Sequence, residues 1–289
     1  MARLEYRDRV AIVTGASSGI GNVTAAEFAR RGCTVVAVAR REANLARLVD
    51  ACKEHAPRSI YLVGDLGQRT FAESVVDSTF ARFGRIDFLI NNAGIPKHKQ
   101  IYHLSSCEAE RVMEVNFLSC VWTTFAAIPY MLRRGEGWIV NVSSFATRAP
   151  APRESLYIAS KSAMNGFTEG LWSDLEGSNI HAALVIPGAI DTEIWQKGDE
   201  PVAYDGPLYP PEIVSKAIFE VIEKRLFERV VPRWNLPLLM ATFLRRVFPA
   251  VLRMGLRRMD PVPPEVIEAA RRRANQGRRL GDVGESTES

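Results

Sequence analysis

Short apolar segments rich in β-branched residues alternate with longer segments in which apolar residues recur every three to four positions. The short segments are typical of strands buried on both faces, and the longer ones of helices that cover a sheet. Seven strands are predicted on this basis: Val10–Thr14, Thr34–Ala39, Ser59–Val63, Ile86–Ile90, Trp138–Val142, His181–Ile186 and Arg229–Val231.

The helical segments between these strands lie at about 19–31, 42–55, 68–83, 106–134, 155–176 and 211–224. Such regular alternation predicts an α/β fold with a doubly wound, Rossmann-type parallel sheet of about seven strands. We therefore predict one domain over residues 1–232 and a helical C-terminal extension over 233–275. The small, polar residues of 276–289 predict a disordered tail.

Charge is distributed unevenly along the chain. Residues 1–232 contain 26 Lys and Arg against 27 Asp and Glu, whereas residues 233–279 contain 11 Arg against 3 acidic residues. The basic character therefore belongs to the extension. The 47% hydrophobic content is sufficient for a sizeable core in the rest of the chain.

The N-terminal residues and the cysteines both favour a cytoplasmic protein. Residues 1–10 carry charges up to the first apolar segment and include neither a signal peptide nor a membrane span, so we expect the fold to begin almost at once. Cys33, Cys52, Cys107 and Cys120 form no CxxC pair. We expect them to be reduced core residues rather than ligands or disulfides.

A glycine-rich turn follows the first predicted strand and leads into a helix, with the sequence Thr14-Gly15-Ala16-Ser17-Ser18-Gly19-Ile20-Gly21. Glycines at such a turn let backbone N–H groups approach a pyrophosphate, whose charge the helix N-terminus stabilises. The GxxxGxG spacing differs from the GxGxxG dinucleotide fingerprint, and a tight turn without a ligand is the alternative.

The second predicted strand ends at Ala39, where an NAD-binding protein usually places an acid for the ribose 2′-hydroxyl. Arg40 and Arg41 follow here instead, and a guanidinium can bind phosphate oxygens in pairs. Two solvated residues at a helix start are a less attractive explanation, because cations there oppose the helix dipole. We predict NADP as the cofactor in preference to NAD.

Tyr157 and Lys161 are four residues apart at the start of a predicted helix and therefore share one face. A nearby cation stabilises a phenolate, so Lys161 is expected to lower the pKa of Tyr157 from about 10 and fit it for proton transfer. The spacing alone also occurs in helices where the tyrosine packs and the lysine is solvated.

Further motifs accompany this pair in a fixed order: Asp65-Leu66, Asn91-Asn92-Ala93-Gly94, Asn116, Ser143-Ser144 and Pro187-Gly188. With the glycine turn and YxxxK, they resemble the short-chain dehydrogenase/reductase family over residues 9–232. The resemblance implies a catalytic tetrad of Asn116, Ser144, Tyr157 and Lys161. It also implies that Ser144 binds the substrate oxygen, that Ser143 is structural, and that Asn116 helps to hold a water near the lysine.

The same resemblance implies a cofactor site. Asp65 would contact the adenine amino group, Asn91 would steady the central strand, and Thr192 would meet the nicotinamide carboxamide. The expected cofactor-binding residues are Gly15, Ser17, Ser18, Gly19, Ile20, Gly21, Arg40, Arg41, Asp65, Leu66, Asn92, Ala93, Gly94, Tyr157, Lys161, Pro187, Gly188, Ile190 and Thr192.

These residues predict that 1–232 is a dinucleotide-binding catalytic domain. It would transfer a hydride between NADP(H) and a carbonyl or secondary alcohol, with Tyr157 moving the proton and Lys161 also binding the nicotinamide ribose. A non-catalytic dinucleotide sensor or scaffold on the same fold is the alternative, which the complete tetrad disfavours. The glycine spacing and the NNAG segment disfavour a sugar-nucleotide epimerase of an extended family.

In this family the substrate pocket is built by the segments after the fourth, fifth and sixth strands, here about 94–104, 145–156 and 188–210. Their apolar content predicts a bulky apolar substrate, lipid-like or steroid-like. The expected lining residues are Ile95, Ile101, Tyr102, Phe145, Leu156, Ile194, Trp195, Tyr204, Leu208 and Tyr209.

Four polar residues of these segments have open roles. Arg148 or Arg153 would meet an acidic group of the substrate or face water. His98 and His103 have no acidic partner at ligand spacing, so we expect no metal site and treat them as substrate contacts or plain loop residues.

Residues 234–258 of the extension alternate Trp, Leu and Phe with Arg, and the uncharged part before Arg245 is too short to span a bilayer. One or two amphipathic helices are predicted, interrupted near Pro249. They would lie on an anionic membrane surface or cap a hydrophobic pocket, and packing on the body or on a dimer partner explains the pattern equally well. The Leu and Phe content disfavours nucleic acid, and the family resemblance implies a homodimer or homotetramer.

Overall fold

The computed structural model describes residues 4–196, 206–233 and 262–275, with isolated positions between 240 and 254. One sheet of seven parallel strands has the order β3-β2-β1-β4-β5-β6-β7. The predicted fold class is confirmed, and each strand lies within two residues of its predicted ends. The strands are β1 Val10–Thr14, β2 Thr34–Ala39, β3 Ile60–Val63, β4 Phe88–Asn91, β5 Gly137–Val142, β6 Ile180–Pro187 and β7 Glu228–Val231.

Helices cover both faces of the sheet. All six predicted helices are confirmed to within two residues. The helix predicted over 106–134 is one continuous helical stretch, in which a π-helical turn at Glu114–Leu118 separates α4 from α5 and contains the buried Asn116. The helices are α1 Gly19–Arg30, α2 Glu42–Lys53, α3 Arg69–Phe83, α4 Ser106–Met113, α5 Ser119–Arg134, α6 Ser155–Asp174, α7 Glu212–Lys224 and α8 Pro264–Asn275.

Two apolar layers hold the helices to the sheet, and successive residues of β1 belong to opposite layers. Ala11 and Val13 pack in the layer with α1, α2 and α7, whereas Val10 and Ile12 pack in the layer with α3, α5 and α6. This is why β1 is a continuous apolar run rather than an alternating one. Each fully buried aliphatic side chain stabilises the fold by about 1.5–3 kcal/mol.

The register of the sheet brings the loops of interest to one edge. Thr14, the last residue of β1, pairs with Val38 of β2, and Val13 pairs with Ile90 of β4. The chain reverses its strand order between β1 and β4, and ligands of doubly wound sheets bind at that point, outside the carboxyl ends of the strands.

One helical stretch in the described part of the chain, Ser106–Arg134, is long and apolar enough by composition to cross a membrane. Its most apolar window is 44% buried inside the protein, and α5 packs against α3. We therefore interpret it as a core helix. Cys33, Cys52 and Cys120 are buried and free, whereas Cys107 is exposed on α4, so the prediction of a core position is wrong for Cys107.

The C-terminal extension contributes α8 to the described residues. The predicted interruption near Pro249 and the predicted disordered tail lie outside them. Seven large apolar side chains among the described residues of the extension are exposed: Met240, Phe243, Val247, Phe248, Met254, Val262 and Ile267.

Candidate active site

The glycine turn requires glycine on steric grounds. Gly15 has φ +66°, and a Cβ on it would lie 2.9 Å from the Cα of Ala93. A Cβ on Gly21 would lie 2.4 Å from the carbonyl oxygen of Gly15. The side chain of Ser18, the N-cap of α1, makes no capping hydrogen bond. The N-terminus of α1 therefore keeps the positive end of its dipole and its first N–H groups for an anion.

Thr14 ties the glycine turn to the loop after β4. Its hydroxyl donates to the carbonyl oxygen of Ile90 (3.2 Å) and accepts from the backbone N–H groups of Asn92 (2.9 Å) and Ala93 (3.0 Å). The amide of Asn92 in turn donates to the carbonyl oxygen of Thr14 at 3.0 Å. These bonds hold two walls of the cleft in one arrangement.

Asn91 is buried behind this loop. Its amide donates to the side-chain oxygen of Asn141 on β5 (2.9 Å), and its oxygen accepts from the hydroxyl of Thr123 on α5 (2.8 Å). The expected role of Asn91 in steadying the central strand agrees with these contacts.

Arg41 forms the cationic end of the cleft. Its Nε and Nη2 donate to Oγ of Ser17 (3.2 and 3.0 Å), and Nη2 also donates to Oγ of Ser18 (2.5 Å). Its Nη1 lies 2.6 Å from a carboxylate oxygen of Glu193. Arg40 lines the same cleft. The structure thus brings Arg41 to the glycine turn and Arg40 to the same cleft.

Asp65 lies at the end of the next strand and is held by Arg111 of α4. Nη2 of Arg111 donates to Oδ2 of Asp65 at 2.5 Å, and the backbone N–H of Gly67 donates to Oδ1 at 3.0 Å. Burial opposes ionisation of Asp65, but these hydrogen bonds and the charge of Arg40 outweigh it and hold the pKa of Asp65 below its ordinary value. Sequence reasoning missed Arg111, because nothing local to α4 indicates this contact.

Lys161 is 3% exposed and lies beside Gly94. Its Nζ donates to the carbonyl oxygen of Val142 at 2.8 Å. A Cβ on Gly94 would lie 3.6 Å from that Nζ and 3.5 Å from Oδ1 of Asn116. The glycine therefore leaves open the space in front of two members of the predicted tetrad.

Asn116 joins the loop after β4 to α6. Its Oδ1 accepts from the N–H of Ile95 (2.7 Å), and its Nδ2 donates to the carbonyl oxygen of Ile95 (3.0 Å) and to Oγ of Ser160 (3.1 Å). Ser160 donates to the carbonyl oxygen of Tyr157 at 2.7 Å. Asn116 is thus placed to position the loop against the helix that carries Tyr157.

Burial is the largest influence on the pKa values of Tyr157 and Lys161. It raises the pKa of Tyr157 to about 12; a hydrogen bond with Ser144 opposes this rise, and the charge of Glu154 adds to it. Burial also lowers the pKa of Lys161 to about 8. The pKa of Tyr157 is thus raised and not lowered as predicted, because burial outweighs the opposing hydrogen bond.

Ser143 and Ser144 have different surroundings. Ser143 is buried and donates to Oδ1 of Asn165 at 2.5 Å, which suits the structural role expected of it. Ser144 caps the short turn Phe145–Thr147, and its Oγ accepts from the N–H of Ala146 at 3.2 Å. The Ser144 side chain also hydrogen-bonds that of Tyr157.

A cleft of about 310 Å³ runs between the arginines and Tyr157. Most of the predicted cofactor-binding residues line it: Gly15, Ser17, Ser18, Gly19, Ile20, Arg40, Arg41, Asp65, Leu66, Asn92, Ala93, Gly94, Tyr157, Lys161 and Thr192. The remaining four predicted cofactor-binding residues do not line the cleft. Gly21 packs on Gly15, Ile190 is 4% exposed, and Pro187 and Gly188 end β6 against β7. Sequence reasoning missed Glu193 and Val115, which also line the cleft.

Several residues expected in the substrate pocket lie elsewhere. Phe145 is buried against Leu184 and Ile186, which makes it a core residue. Arg148 donates to Oε2 of Glu228 at 2.5 Å, so its guanidinium is paired within the protein.

The other residues expected in the substrate pocket have different surroundings from one another. Ile95 lines the cleft, Ile101 is 62% exposed, and Tyr209 packs against the apolar layer that contains α1, α2 and α7. Nε1 of Trp195 donates to the carbonyl oxygen of Ile190 at 2.6 Å. Tyr204 lies outside the described residues.

His98 has an acidic neighbour that its sequence surroundings conceal. Its Nδ1 lies 3.3 Å from Oε1 of Glu154, and both side chains are buried. Burial raises the pKa of Glu154 to about 7. Glu154 is far from His98 in the chain, so the absence of an acidic residue at ligand spacing in the sequence could not indicate this neighbour. The described part of the chain contains no cluster of three or more His, Cys, Asp or Glu residues able to hold a metal ion.

The family model for short chain dehydrogenase matches residues 9–202. The chain belongs to the short-chain dehydrogenase/reductase family. An uncharacterized oxidoreductase of Staphylococcus saprophyticus is 31% identical over 217 residues, which cover 75% of this chain and 92% of that protein. The structure of a short-chain dehydrogenase from Sphingobium yanoikuyae in complex with NADPH superposes with a TM-score of 0.73 at 27% identity, covering 89% of this chain and 97% of that one.

The 11-beta-hydroxysteroid dehydrogenase 1A of Arabidopsis thaliana is 37% identical over 190 residues. The match covers 65% of this chain and 54% of the plant protein. This chain therefore matches only about half the length of that relative.

The cleft fits a nicotinamide dinucleotide of the kind bound to the Sphingobium enzyme. The arginines, the hydroxyls of Ser17 and Ser18, and the N-terminus of α1 suit phosphate groups. At the other end, Gly94 leaves open a space that a Cβ would fill, directly in front of Lys161.

Proposed function

We propose that this protein is an NADP(H)-dependent oxidoreductase that transfers a hydride between the nicotinamide and a carbonyl or secondary alcohol of a bulky apolar substrate. The observation that carries the proposal is that Tyr157 and Lys161 line one end of a cleft whose other end is lined by Arg40 and Arg41. Ser144 hydrogen-bonds Tyr157, and Asn116 lies beside Lys161 at Gly94.

The bound nicotinamide supplies or accepts the hydride. Tyr157 is protonated at neutral pH, since its pKa is about 12, and in reduction it donates that proton to the substrate oxygen. Ser144 donates a hydrogen bond to the same oxygen. Lys161, held by the carbonyl of Val142, binds the nicotinamide ribose, and Asn116 keeps the loop after β4 in place.

The preference for NADP rests on the cations of the cleft. Arg40 and Arg41 occupy the place where an acid would favour NAD, and Arg41 is already oriented by Ser17 and Ser18. A guanidinium held in place loses little further entropy when it binds a phosphate.

A bulky apolar alcohol or ketone is the proposed substrate class. The names of the Arabidopsis relatives support it, as does Ile95 in the cleft wall. The test is turnover of a panel of cyclic secondary alcohols and ketones, steroids included, with NADP(H) and NAD(H) in parallel. We expect faster turnover of the bulky members with NADP(H). Tight NADPH binding without turnover of any member would favour the dinucleotide sensor instead.

We further propose a cytoplasmic homo-oligomer that contacts membrane surfaces through its extension. Phe243 and Phe248 are both exposed, and their ring centroids lie 6.4 Å apart, which suits insertion at a lipid interface. The full chain should sediment with anionic liposomes more than a chain ending at Arg233, and salt should weaken that binding. Analytical ultracentrifugation tests the predicted dimer or tetramer.

A further inference from the structure

Glu193 bridges the mouth of the cofactor cleft. It begins the short turn Glu193–Gln196 after β6, and its Oε2 lies 2.6 Å from Nη1 of Arg41, which follows β2. The two side chains are 42% and 40% exposed, so solvent reaches the pair. The ion pair joins the β6 side of the cleft to the β2 side, across the glycine turn.

The position of Glu193 is set by its neighbours in the chain. Thr192 packs directly on the glycine turn, since a Cβ on Gly19 would lie 2.8 Å from Cγ2 of Thr192. The backbone N–H of Asp191 donates to the carbonyl oxygen of Tyr209 at 2.7 Å. Glu193 is therefore held over the glycine turn, and Arg41 is not the only group that keeps it there.

The Arg41 guanidinium is shared among partners around the expected phosphate position. Two of its nitrogens bind the hydroxyls of Ser17 and Ser18, and the third binds the Glu193 carboxylate. The hydroxyls are neutral and can turn to donate to a phosphate. The carboxylate is an acceptor only, and it carries the same sign of charge as a phosphate.

We propose that Glu193 competes with the 2′-phosphate of NADP for Arg41 and thereby limits how strongly the enzyme prefers NADP to NAD. A phosphate that uses Nη1 of Arg41 must replace the carboxylate there. NAD presents a neutral 2′-hydroxyl at this point, which does not need that nitrogen and can donate to a carboxylate. Glu193 thus weakens the binding of NADP and not that of NAD. This inference rests on the proposed use of Arg41 as the phosphate ligand.

The test is the affinity of the Glu193→Gln variant for both cofactors, measured by fluorescence titration with NADPH and NADH. Glutamine keeps the size of the side chain and removes its charge. NADPH should bind about three- to fivefold more tightly, the range that loss of an exposed ion pair allows, and NADH should bind no more tightly than to wild type. The matched control is Glu73→Gln, which removes a similar exposed pair, Arg69 with Glu73 at 2.7 Å, on α3. The control should leave both affinities unchanged.

A second pair of variants shows whether Glu193 acts through Arg41. In the Arg41→Ala background, the gain from Glu193→Gln should disappear. A gain that persists there would overturn the competition, and so would unchanged or weaker NADPH binding by Glu193→Gln itself. Weaker binding would make Glu193 a support for Arg41 rather than its competitor.

Adenosine 2′,5′-bisphosphate and AMP separate this inference from the cofactor assignment. Displacement of NADPH by these two probes reports on the 2′-phosphate alone. Wild-type protein that binds both probes equally would refute the NADP preference. A wild-type preference for the bisphosphate that Glu193→Gln fails to increase would refute only the role of Glu193.

Discussion

Glu154 is a buried carboxyl beside Tyr157, the proposed proton donor, and replacing it with glutamine tests how burial controls ionisation at this site. It is 8% exposed, directly precedes α6, and has its pKa raised by burial from 4.5 to about 7. Glutamine preserves the shape of the side chain but does not titrate.

The sign of the effect follows from proton linkage. Between pH 4.5 and about 7 the folded protein binds the Glu154 proton more strongly than the unfolded chain does. The resulting stabilisation is fully present below the unfolded pKa and is lost as the pH rises through the folded one. The whole rise corresponds to roughly 3 kcal/mol, of which roughly 2 kcal/mol should be lost between about pH 5.5 and pH 8.5.

Urea unfolding of wild type and Glu154→Gln at these two pH values measures the loss. The free energy of unfolding of wild type, relative to the variant, should fall by roughly 2 kcal/mol from the lower to the higher pH. The comparison is repeated in the His98→Asn background, where the fall should persist if burial causes it. A difference that does not change with pH would refute the reasoning. A fall that disappears with His98 would mean that an ionised pair with His98 controls Glu154.

Three further predictions concern the cleft and the glycine turn. Lys161→Ala should weaken NADPH binding by about tenfold or more, since a charge-assisted contact is worth ~1.5–3 kcal/mol, and should also reduce turnover; titration and steady-state assays with a ketone check both. Gly94→Ala should leave the free energy of unfolding nearly unchanged but weaken NADPH binding, because the added methyl meets nothing closer than 3.5 Å and projects into the cleft. Gly21→Ala, whose methyl would lie 2.4 Å from a carbonyl oxygen, should lower that free energy by about 1–3 kcal/mol in urea. Gly166→Ala, with nothing within 4 Å, is the control, and equal unfolding of all three variants would contradict the packing argument.

The strands and most helices could be predicted because apolar periodicity is a local property. A strand such as Val10–Thr14, buried on both faces, is apolar up to its last residue, and the spacing of the glycines identifies the glycine turn. The π-helical turn at Glu114–Leu118 could not be predicted, since its one extra residue is accommodated without any break in the apolar pattern.

The contacts of the site were less predictable than its members. Arg41 was expected to face a phosphate, but its partner Glu193 comes from the far end of the domain. The neighbour of His98 is likewise remote in sequence. The pKa of Tyr157 was predicted in the wrong direction because it depends on how much water reaches the hydroxyl, which four-residue spacing does not reveal.

The most direct test of the proposed chemistry is the Tyr157→Phe variant, assayed for turnover of a ketone that wild type reduces and for NADPH binding by fluorescence. The change removes one oxygen, the proton donor, and leaves the ring packing and the Arg41 end of the cleft intact. We predict that turnover falls by about 10²- to 10⁴-fold while NADPH affinity stays within about twofold of wild type. Turnover near the wild-type rate with unchanged NADPH binding would contradict the assignment of Tyr157 as the proton donor.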